Sequence, residues 1–323
     1  MARLLTVTLN PALDLSVETP ELIPGAVNRT RNARMDAAGK GINVARVLAG
    51  LGHTVTVTGL LGEDNSAPFE RLFTDEGLED HFLRVPGPNR INIKVAEPDG
   101  RVTDINGPGF AVPADARHRL ESRLEALLPG CEGVVIGGSL PAGYPDSGVA
   151  RLIELAVAVE KPVWLDTSGT ALSAGIGARP YGVKPNLDEL SGWAGQPLAT
   201  PAAILDAANR LRAEGILEVV VSLGADGVLW LGPGGCHRSQ PPQVPVVSTV
   251  CAGDTLLAGM VHGFFQGNGQ TAGQALGFAT ALSADCVRHV GVGDARAPDF
   301  PQLLEQTRIH PWFGDNNNGE KTA

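Results

Sequence analysis

Short apolar runs alternate with amphipathic segments along most of the chain. Six β-branched, nearly unbroken apolar runs predict buried strands at residues 4–9, 54–60, 134–137, 162–165, 181–183 and 219–223. Segments with helical spacing predict helices at residues 41–52, 113–128, 147–160, 201–214, 253–266 and 270–287. Because strands that alternate with helices form a mostly parallel sheet covered on both faces, we expect a three-layer α/β/α fold.

Two stretches depart from this pattern. Residues 13–36 and 90–106 alternate apolar and polar positions, and Pro98-Asp99-Gly100 marks a turn in the second stretch. Such alternation predicts strands that are exposed on one face. We therefore expect a small antiparallel β-sheet of four strands, inserted into a single domain of residues 1–313, as a lid over the ligand or as a subunit interface. The polar segment 314–323 predicts a disordered tail.

Composition narrows the function classes. The chain has 323 residues, 43% hydrophobic and 19% charged, as is typical of a globular protein. A net charge of −10 and a pI near 5.2 argue against nucleic acid or an anionic membrane as a partner. Four scattered cysteines without a C-x-x-C pair, and no apolar run of about 18 residues, indicate a cytoplasmic protein with reduced thiols.

Two common nucleotide motifs are missing from the sequence. It contains neither G-x-x-x-x-G-K-[ST] nor G-x-G-x-x-G after the first strand, which disfavours P-loop and dinucleotide sites. Polar clusters instead follow the predicted strands, as 36-DAAGKGINVARVL-48, 136-IGGSLPAG-143, 181-YGVKPNLDELSGW-193, 220-VVSLGADGVLW-230 and 248-STVCAGDTLLAGM-260. Open α/β sheets bind ligands at this carboxyl edge.

The last cluster places a carboxylate, Asp254, at the start of an apolar helix. Taken alone, the stretch favours Asp254 as an N-cap, since aspartate commonly accepts a hydrogen bond from the first helical turn. Alternatively, the small residues before the helix form an anion site, and the carboxylate removes a proton from a hydroxyl that attacks a bound phosphate.

The segment after the fifth strand is equally open to two interpretations. Asn186 with Glu189 three residues later matches a capping box, whereas Glu189 could also orient a magnesium ion through water. In the first cluster, Lys40 is either a solvated loop residue or part of a turn that lets a ligand approach the backbone. Asn43, one turn into the next helix, could bind a sugar hydroxyl.

The order of these clusters resembles that of the ribokinase-like, or pfkB, family of sugar kinases over about residues 3–310. The matching motifs are TLNPALD, GKGINVARVL, GGSLPAG, VKPNLDEL, VSLGADG and STVCAGD. The resemblance implies a ribokinase-like three-layer α/β/α core with a small β-sheet lid. It also implies a sugar-phosphate substrate, ATP with Mg²⁺, and a homodimer joined through the lid.

The resemblance assigns a role to each matching position. Asp254 corresponds to the catalytic general base, with an anion hole at Ala252 and Gly253. Sugar-phosphate positions, besides Asp254, are Asp14, Arg29, Gly39, Lys40, Asn43, Arg90 and Ser139. ATP-site positions are Lys184, Asn186, Ser222, Gly224, Ala225, Gly227, Ser248 and Gly253. Glu189 corresponds to the residue associated with Mg²⁺, through water.

Two positions depart from the family pattern. Cys251 stands where the signature has glycine, which is costly if the backbone there requires a positive φ. Gly137 stands where related sequences have serine, which removes at most one polar contact. We still expect activity, because backbone N–H groups form the anion hole.

The acceptor is predicted from one strand, 90-RINIK-94. Its alternation places Arg90, Asn92 and Lys94 on one polar face suited to a phosphate and hydroxyl groups. The stretches TLNPALD, RINIK and VTDIN look most like those of 1-phosphofructokinases, which implies fructose 1-phosphate as substrate. Tagatose-6-phosphate kinases are the alternative and 6-phosphofructokinases come third.

Two other classes are disfavoured by the residues present. A catalytically inactive sugar-phosphate or nucleotide-binding protein would most simply have lost the base, yet Asp254 and Lys184 are both retained. A Rossmann oxidoreductase would need the glycine fingerprint that this chain lacks.

Overall fold

The computed structural model describes residues 1–266 and 272–312, which form fifteen strands and ten α-helices. The strands are β1 (Arg3–Thr8), β2 (Ala12–Glu18), β3 (Asn32–Ala38), β4 (Thr54–Gly62), β5 (Glu79–Asp80), β6 (Leu83–Val85), β7 (Arg90–Ala96), β8 (Val102–Asn106), β9 (Gly133–Gly137), β10 (Val163–Asp166), β11 (Gly182–Val183), β12 (Glu218–Ser222), β13 (Val228–Gly232), β14 (Gly235–Gln240) and β15 (Arg308–Pro311). The helices are α1 (Lys40–Gly50), α2 (Ala67–Asp75), α3 (Ala116–Leu127), α4 (Asp146–Val157), α5 (Gly169–Gly177), α6 (Leu187–Ala194), α7 (Pro201–Ala213), α8 (Ala252–Gln266), α9 (Ala272–Cys286) and α10 (Phe300–Gln306).

The central sheet has eleven strands in the order β15-β14-β13-β12-β11-β10-β9-β1-β4-β5, with β6 also paired to β4. Neighbours are parallel from β12 to β5, whereas β12 to β15 pair in antiparallel fashion. The six strands predicted from apolar runs are β1, β4, β9, β10, β11 and β12. They are neighbours in the parallel part of the sheet, as expected, and the short strands β5 and β6, which were not predicted, extend it beside β4.

Helices cover both faces of this sheet. In β1, Leu5 and Val7 face one side and pack into a core with residues of α3, α4 and α7. Leu4 faces the opposite side and joins a second core with residues of α1, α8 and α9. Because each strand is buried on both faces, its sequence is almost uniformly apolar. The predicted three-layer architecture is confirmed.

The predicted helices agree with observed ones to within a few residues, and α2, α5 and α10 are additional. The predicted start of the helix at 270–287 and the predicted disordered tail at 314–323 lie outside the described residues. None of the helices within residues 1–266 and 272–312 is long and apolar enough to cross a membrane.

Four strands in the order β3-β2-β7-β8 form a separate sheet, the small sheet. The prediction of an antiparallel sheet was wrong for one pairing, since β2 and β7 are parallel. The reason is topological. β2 follows β1 and β7 follows β6 along the chain. Because β1 and β6 are both parallel to β4, the chain enters the small sheet in the same direction each time. β2–β3 and β7–β8 are antiparallel pairs, as predicted.

Candidate active site

The sequence clusters meet at the carboxyl edge of the parallel strands. β10 ends at Asp166, whose carbonyl accepts a hydrogen bond from the Gly138 N–H after β9, at 2.9 Å. Lys184 directly follows β11, and its N–H donates to the Leu165 carbonyl. The loop after β11 and the end of β12 are joined by a parallel bridge between Asn186 and Ser222.

Asp254 occupies the first turn of α8, which begins at Ala252, so the prediction that it caps the helix was wrong. Its side chain is buried, and Asn43 Nδ2 on α1 donates to its Oδ2 at 2.7 Å. Burial and the nearby negative charge of Asp166 raise the pKa of Asp254 to about 6. A carboxylate with this pKa can accept a proton near neutral pH and later release it.

An ion triad of buried Asp166 and Lys184 with half-buried Lys40 lies beside this carboxylate. Asp166 receives Lys40 Nζ at 2.7 Å and Lys184 Nζ at 3.1 Å, so one carboxylate holds two ammonium groups. Burial would raise the pKa of Asp166, but Lys184 and Lys40 hold it below its ordinary value. Burial likewise opposes the charge on Lys40, yet Asp166 and Glu189 raise its pKa. The triad therefore carries a net positive charge, suited to an anionic ligand.

The start of α8 is open to such an anion. A side-chain carbon added at Gly253 would lie 3.3 Å from Lys184 Nζ, so this lysine stands directly over the first helical turn. Free N–H groups and the helix dipole favour negative charge there. Ala252 and Gly253 both lie in this first turn, but the Ala252 N–H already donates to the Thr249 carbonyl at 3.4 Å.

Cys251, immediately before α8, adopts a φ of +67°. Its carbonyl accepts the Thr255 N–H at 2.8 Å, which fixes the turn. A non-glycine residue in this region is strained. The structural condition under which the cysteine was expected to be costly is therefore met, and burial also raises the pKa of its thiol.

Close packing of α1 against β1 explains the glycines around Lys40. A methyl group at Gly41 would lie 2.5 Å from Thr8 Oγ1 and 2.8 Å from the Val7 carbonyl oxygen. Gly39, with a φ of +149°, turns the chain directly into α1. This approach brings Lys40 and Asn43 over the carboxyl edge of the sheet.

Asn186 and Glu189 form the predicted capping box of α6. The Glu189 N–H donates to Asn186 Oδ1 at 2.8 Å, and the Asn186 N–H donates to Glu189 Oε2 at 2.9 Å. The other oxygen, Oε1, lies 3.8 Å from Lys40 Nζ. The cap thus fixes Glu189 while one carboxylate oxygen faces the ion triad.

The small sheet contributes a second polar group. Asp14 on β2 accepts Lys94 Nζ at 2.6 Å and Asn92 Nδ2 at 3.0 Å, both from β7. The predicted polar face of β7 is therefore correct for these two residues. Arg90, at the start of the strand, has a buried Nε without a hydrogen-bond partner within the described chain. Burial lowers the pKa of its guanidinium.

The remaining predicted positions are less closely connected. Ser139 Oγ accepts a hydrogen bond from Asn10 Nδ2, and Ser248 Oγ accepts the Val250 N–H. Gly224 and Ala225 are exposed in a turn between β12 and β13. Arg29 is exposed in the loop between β2 and β3, and no hydrogen bond or ion pair joins it to another described residue.

Gly227 has a packing role that its sequence motif did not reveal. Its φ is +95°, and an added methyl group would lie 1.9 Å from the Ser239 carbonyl oxygen of β14. Glycine is therefore required here for the β12–β13 hairpin to pass against β14. This requirement is independent of any nucleotide.

The donor set fits a nucleotide phosphate better than a protein-held metal. Two lysines and the first turn of α8 match an anion, whereas the described residues contain no cluster of three His, Cys, Asp or Glu side chains. Mg²⁺ commonly keeps several waters and binds through one carboxylate and substrate phosphates. Glu189, with one oxygen held by the cap, fits that mode.

A family model for pfkB family carbohydrate kinases matches residues 7–299. The chain belongs to this family. It is 42% identical to the 1-phosphofructokinase of Vibrio cholerae, over 95% of this chain and 96% of that protein. As a member of the pfkB family, the chain is an ATP-dependent carbohydrate kinase, and the predicted enzyme class is confirmed.

Solved structures of related proteins share the architecture. Phosphofructokinase-2 of Escherichia coli in complex with fructose-6-phosphate has a TM-score of 0.83 and 28% identity, covering 94% of this chain and 99% of that one. Ribokinase of Thermotoga maritima has a TM-score of 0.74 at 18% identity, covering 94% of this chain and 100% of that one. The ribokinase-like fold is confirmed.

Sequence reasoning missed Asp166, the centre of the ion triad. Its signal was present in 163-VWLD-166, where a carboxylate ends a buried strand. In a parallel α/β sheet a polar residue at that position faces the ligand edge. The pairing of Asp166 with Lys40 and Lys184 could not be recognised, because these lysines lie 126 positions before it and 18 after it in the sequence.

Proposed function

We propose that this kinase transfers the γ-phosphoryl group of ATP to fructose 1-phosphate and forms fructose 1,6-bisphosphate. The observation that carries the proposal is the position of buried Asp254 in the first turn of α8, within hydrogen-bond distance of Asn43 and beside the Lys40–Asp166–Lys184 triad. The V. cholerae relative, named a 1-phosphofructokinase, supports this choice of acceptor.

Asp254 acts as the general base. It accepts the proton of the attacking hydroxyl, so that the oxygen becomes nucleophilic as it approaches the phosphorus. Asn43 holds one carboxylate oxygen and thereby fixes the orientation of the group, leaving the other oxygen for the acceptor hydroxyl. A pKa of about 6 leaves the carboxylate ionised at pH 7 while keeping it basic enough to take the proton.

Lys184 and the first turn of α8, through the Gly253 N–H and the helix dipole, hold the negative charge of the transferred group; Ala252 takes part only if its N–H leaves the Thr249 carbonyl. In this dry edge of the sheet, fixed donors stabilise the developing charge more strongly than water does. Mg²⁺, when bound with ATP, supplies further charge neutralisation on the phosphate oxygens. Glu189 would hold the ion through a water molecule of its hydration shell, because the capping box engages Oε2 and leaves Oε1 available.

The small sheet holds the phosphate that the acceptor already carries. Arg90 has a buried donor with no partner among residues 1–266 and 272–312, and Lys94 shares its strand face. As a lid, the small sheet would also exclude water and limit transfer of the phosphoryl group to solvent.

A coupled assay of ADP release tests the proposed acceptor. It compares kcat/KM for fructose 1-phosphate, fructose 6-phosphate, tagatose 6-phosphate and unphosphorylated fructose. We expect fructose 1-phosphate to be preferred. A preference for tagatose 6-phosphate would replace the acceptor and keep the mechanism, while a preference for fructose would also refute the phosphate-binding role of the small sheet. Sugar-phosphate binding without ADP release would identify an inactive binding protein.

We further propose a homodimer formed through the small sheet. Its outward face carries Met35, Ile91 and Ile105, which are 48%, 40% and 55% exposed on three different strands. A contiguous apolar face of this kind marks an interaction surface. Sedimentation at micromolar concentration should show a dimer, and Ile105→Lys should dissociate it. Val159→Lys, at an exposed site after α4, is the matched control; a monomeric wild type would contradict the proposal.

A further inference from the structure

Three asparagines near the predicted sugar positions share one hydrogen-bonding state; Asn10 and Asn43 are buried, and Asn92 is half-buried. In Asn10, Asn43 and Asn92, the side-chain amide nitrogen donates to a protein acceptor, while the amide oxygen is buried and has no partner within the described residues. Buried polar atoms are normally paired, because an unpaired one has lost its water without compensation. Each of these three side chains also bonds to a predicted site residue, Ser139, Asp254 or Asp14, so a ligand held there can supply the missing donors.

The orientation of each amide is fixed by its partner. Asn43 Nδ2 faces the Asp254 carboxylate, and Asn92 Nδ2 faces the Asp14 carboxylate. Asn10 Nδ2 lies 3.2 Å from the Leu140 carbonyl oxygen. Carboxylates and carbonyls only accept hydrogen bonds, so the nitrogen must be the atom that faces them. The oxygens are therefore the unpaired atoms, and they can only accept.

Asn10 and Asn92 each bond to a predicted sugar-phosphate position, and they do so from two different elements. Asn10 lies in the connection from β1 to β2, and its Nδ2 also reaches Ser139 Oγ at 3.3 Å in the loop after β9. Asn92 pairs with Asp14 in the register that joins β7 to β2. Asn10 thus links the main sheet to the small sheet, while Asn92 belongs to the small sheet itself.

We infer that Asn10 and Asn92 are binding residues for hydroxyl groups of the sugar acceptor. Their amide oxygens accept hydrogen bonds from two hydroxyls, while Asn43, already expected to contact the sugar, accepts a third. Acceptor-only atoms select a ligand that carries O–H donors and disfavour one that presents phosphate oxygens at those points. The three asparagine oxygens therefore distinguish ketohexoses by the positions of their hydroxyl groups, and separate cationic groups hold the phosphate. This inference rests on the proposed function.

The test uses Asn10→Ala and Asn92→Ala with Asn209→Ala, at an exposed position of α7, as the matched control. For the acceptor that the wild type phosphorylates best, each test variant should lower kcat/KM by about 10- to 100-fold, as expected when a buried polar partner is lost. KM for ATP should be unchanged. The C3, C4 and C5 epimers of that acceptor should be discriminated less by the variants than by the wild type.

A thermal-shift measurement separates binding from folding. The sugar acceptor alone should raise Tm less in the two test variants than in the wild type, while ATP should raise Tm equally in all of them. Equal sugar-induced shifts, or an unchanged epimer preference, would overturn the inference. If the wild type prefers an acceptor other than fructose 1-phosphate, the proposed function fails, and the same comparisons with that acceptor still decide the role of the two asparagines.

Discussion

Asn43 and Asp254, 211 positions apart in the sequence, share a 2.7 Å hydrogen bond at the carboxyl edge of the central sheet. This contact joins the first turns of α1 and α8, and it fixes one oxygen of the carboxylate. The first turns of these two helices are therefore joined directly at the candidate site.

Asp254→Asn tests the general base. The amide keeps the shape of the side chain but cannot accept the hydroxyl proton, so kcat should fall by about 10²- to 10⁴-fold. ATP affinity should change little, because the substitution leaves Lys184 and the backbone N–H groups of the first turn of α8 in place. Steady-state kinetics with nucleotide titration checks both. Near-normal turnover in a folded variant would show that Asp254 is not the base.

The pH dependence follows from the raised pKa of Asp254. The base is active when ionised, so kcat/KM should be low at acidic pH, reach half of its maximum near pH 6 and level off at higher pH. The negative charge of Asp166 contributes to that elevated pKa, so Asp166→Asn should shift the acidic limb to lower pH as well as reduce kcat/KM. Asp206→Asn, on the exposed face of α7, should leave the limb in place. An unshifted limb in Asp166→Asn would contradict this coupling.

Cys251→Gly should relieve the strained backbone before α8. A non-glycine residue at positive φ destabilises the folded state by on the order of 1–3 kcal/mol. Glycine removes this strain, but it also raises the conformational entropy of the unfolded chain, which offsets part of the gain. We expect a net stabilisation of about 1 kcal/mol in urea denaturation. Cys251→Ala removes the thiol but keeps the Cβ, so it should give no such gain. Equal stabilities of the two variants would argue against strain.

Arg90→Ala should weaken acceptor binding selectively. Loss of a charged hydrogen-bond donor to the acceptor phosphate should raise KM for the sugar phosphate by about 10- to 100-fold. KM for ATP should be unchanged. Arg101→Ala is the matched control, because Arg101 belongs to the same β7–β8 hairpin and pairs with Glu97. A loss of ATP affinity in Arg90→Ala alone would place Arg90 outside the sugar site.

A buried histidine pair predicts acid sensitivity of the fold. The Ala2 N–H donates to His53 Nδ1, so His53 Nε2 carries the proton and donates to His262 Nδ1 at 2.9 Å. Burial lowers the pKa of His53 and lowers that of His262 to about 4. Both rings are therefore neutral in the folded protein at pH 7.

The sign of the effect follows from the unfolded chain, where histidine titrates near about pH 6.5. The neutral histidine pair contributes fully to the free energy of unfolding above that pH, and this contribution is lost as the pH falls from about 6.5 toward 4. Urea denaturation at a series of pH values should show a shallower decline for His262→Asn than for wild type. His118→Asn, on the exposed side of α3, should keep the wild-type slope; equal slopes in all three would refute the assignment.

The sequence predicted the parallel strands well because their burial on both faces leaves an uninterrupted apolar run. It did not predict β15, whose residues are largely exposed at the sheet edge, so that no apolar pattern marks them. The parallel pairing of β2 with β7 was also missed, since it depends on where the chain leaves the central sheet.

Candidate site residues were predicted where a local motif carried them, as in the capping box of Asn186 and Glu189. Contacts between distant segments, such as that between Lys40 and Asp166, leave no local signature. The conformation of Cys251 was anticipated only because glycine usually stands there, and its φ of +67° shows why.

The packing of α1 beneath α8 has a consequence for how the chain is made. Ile42, Val44 and Val47 of α1 share one core with Leu257 and Val261 of α8. During translation α1 leaves the ribosome long before residues 252–266 are synthesised. Until then, the apolar face of α1 that packs against α8 is exposed to solvent. Exposed apolar surfaces of this kind aggregate and recruit chaperones. A nascent chain truncated before Cys251 should therefore be prone to aggregation, because the segment that carries Asp254 also closes this core.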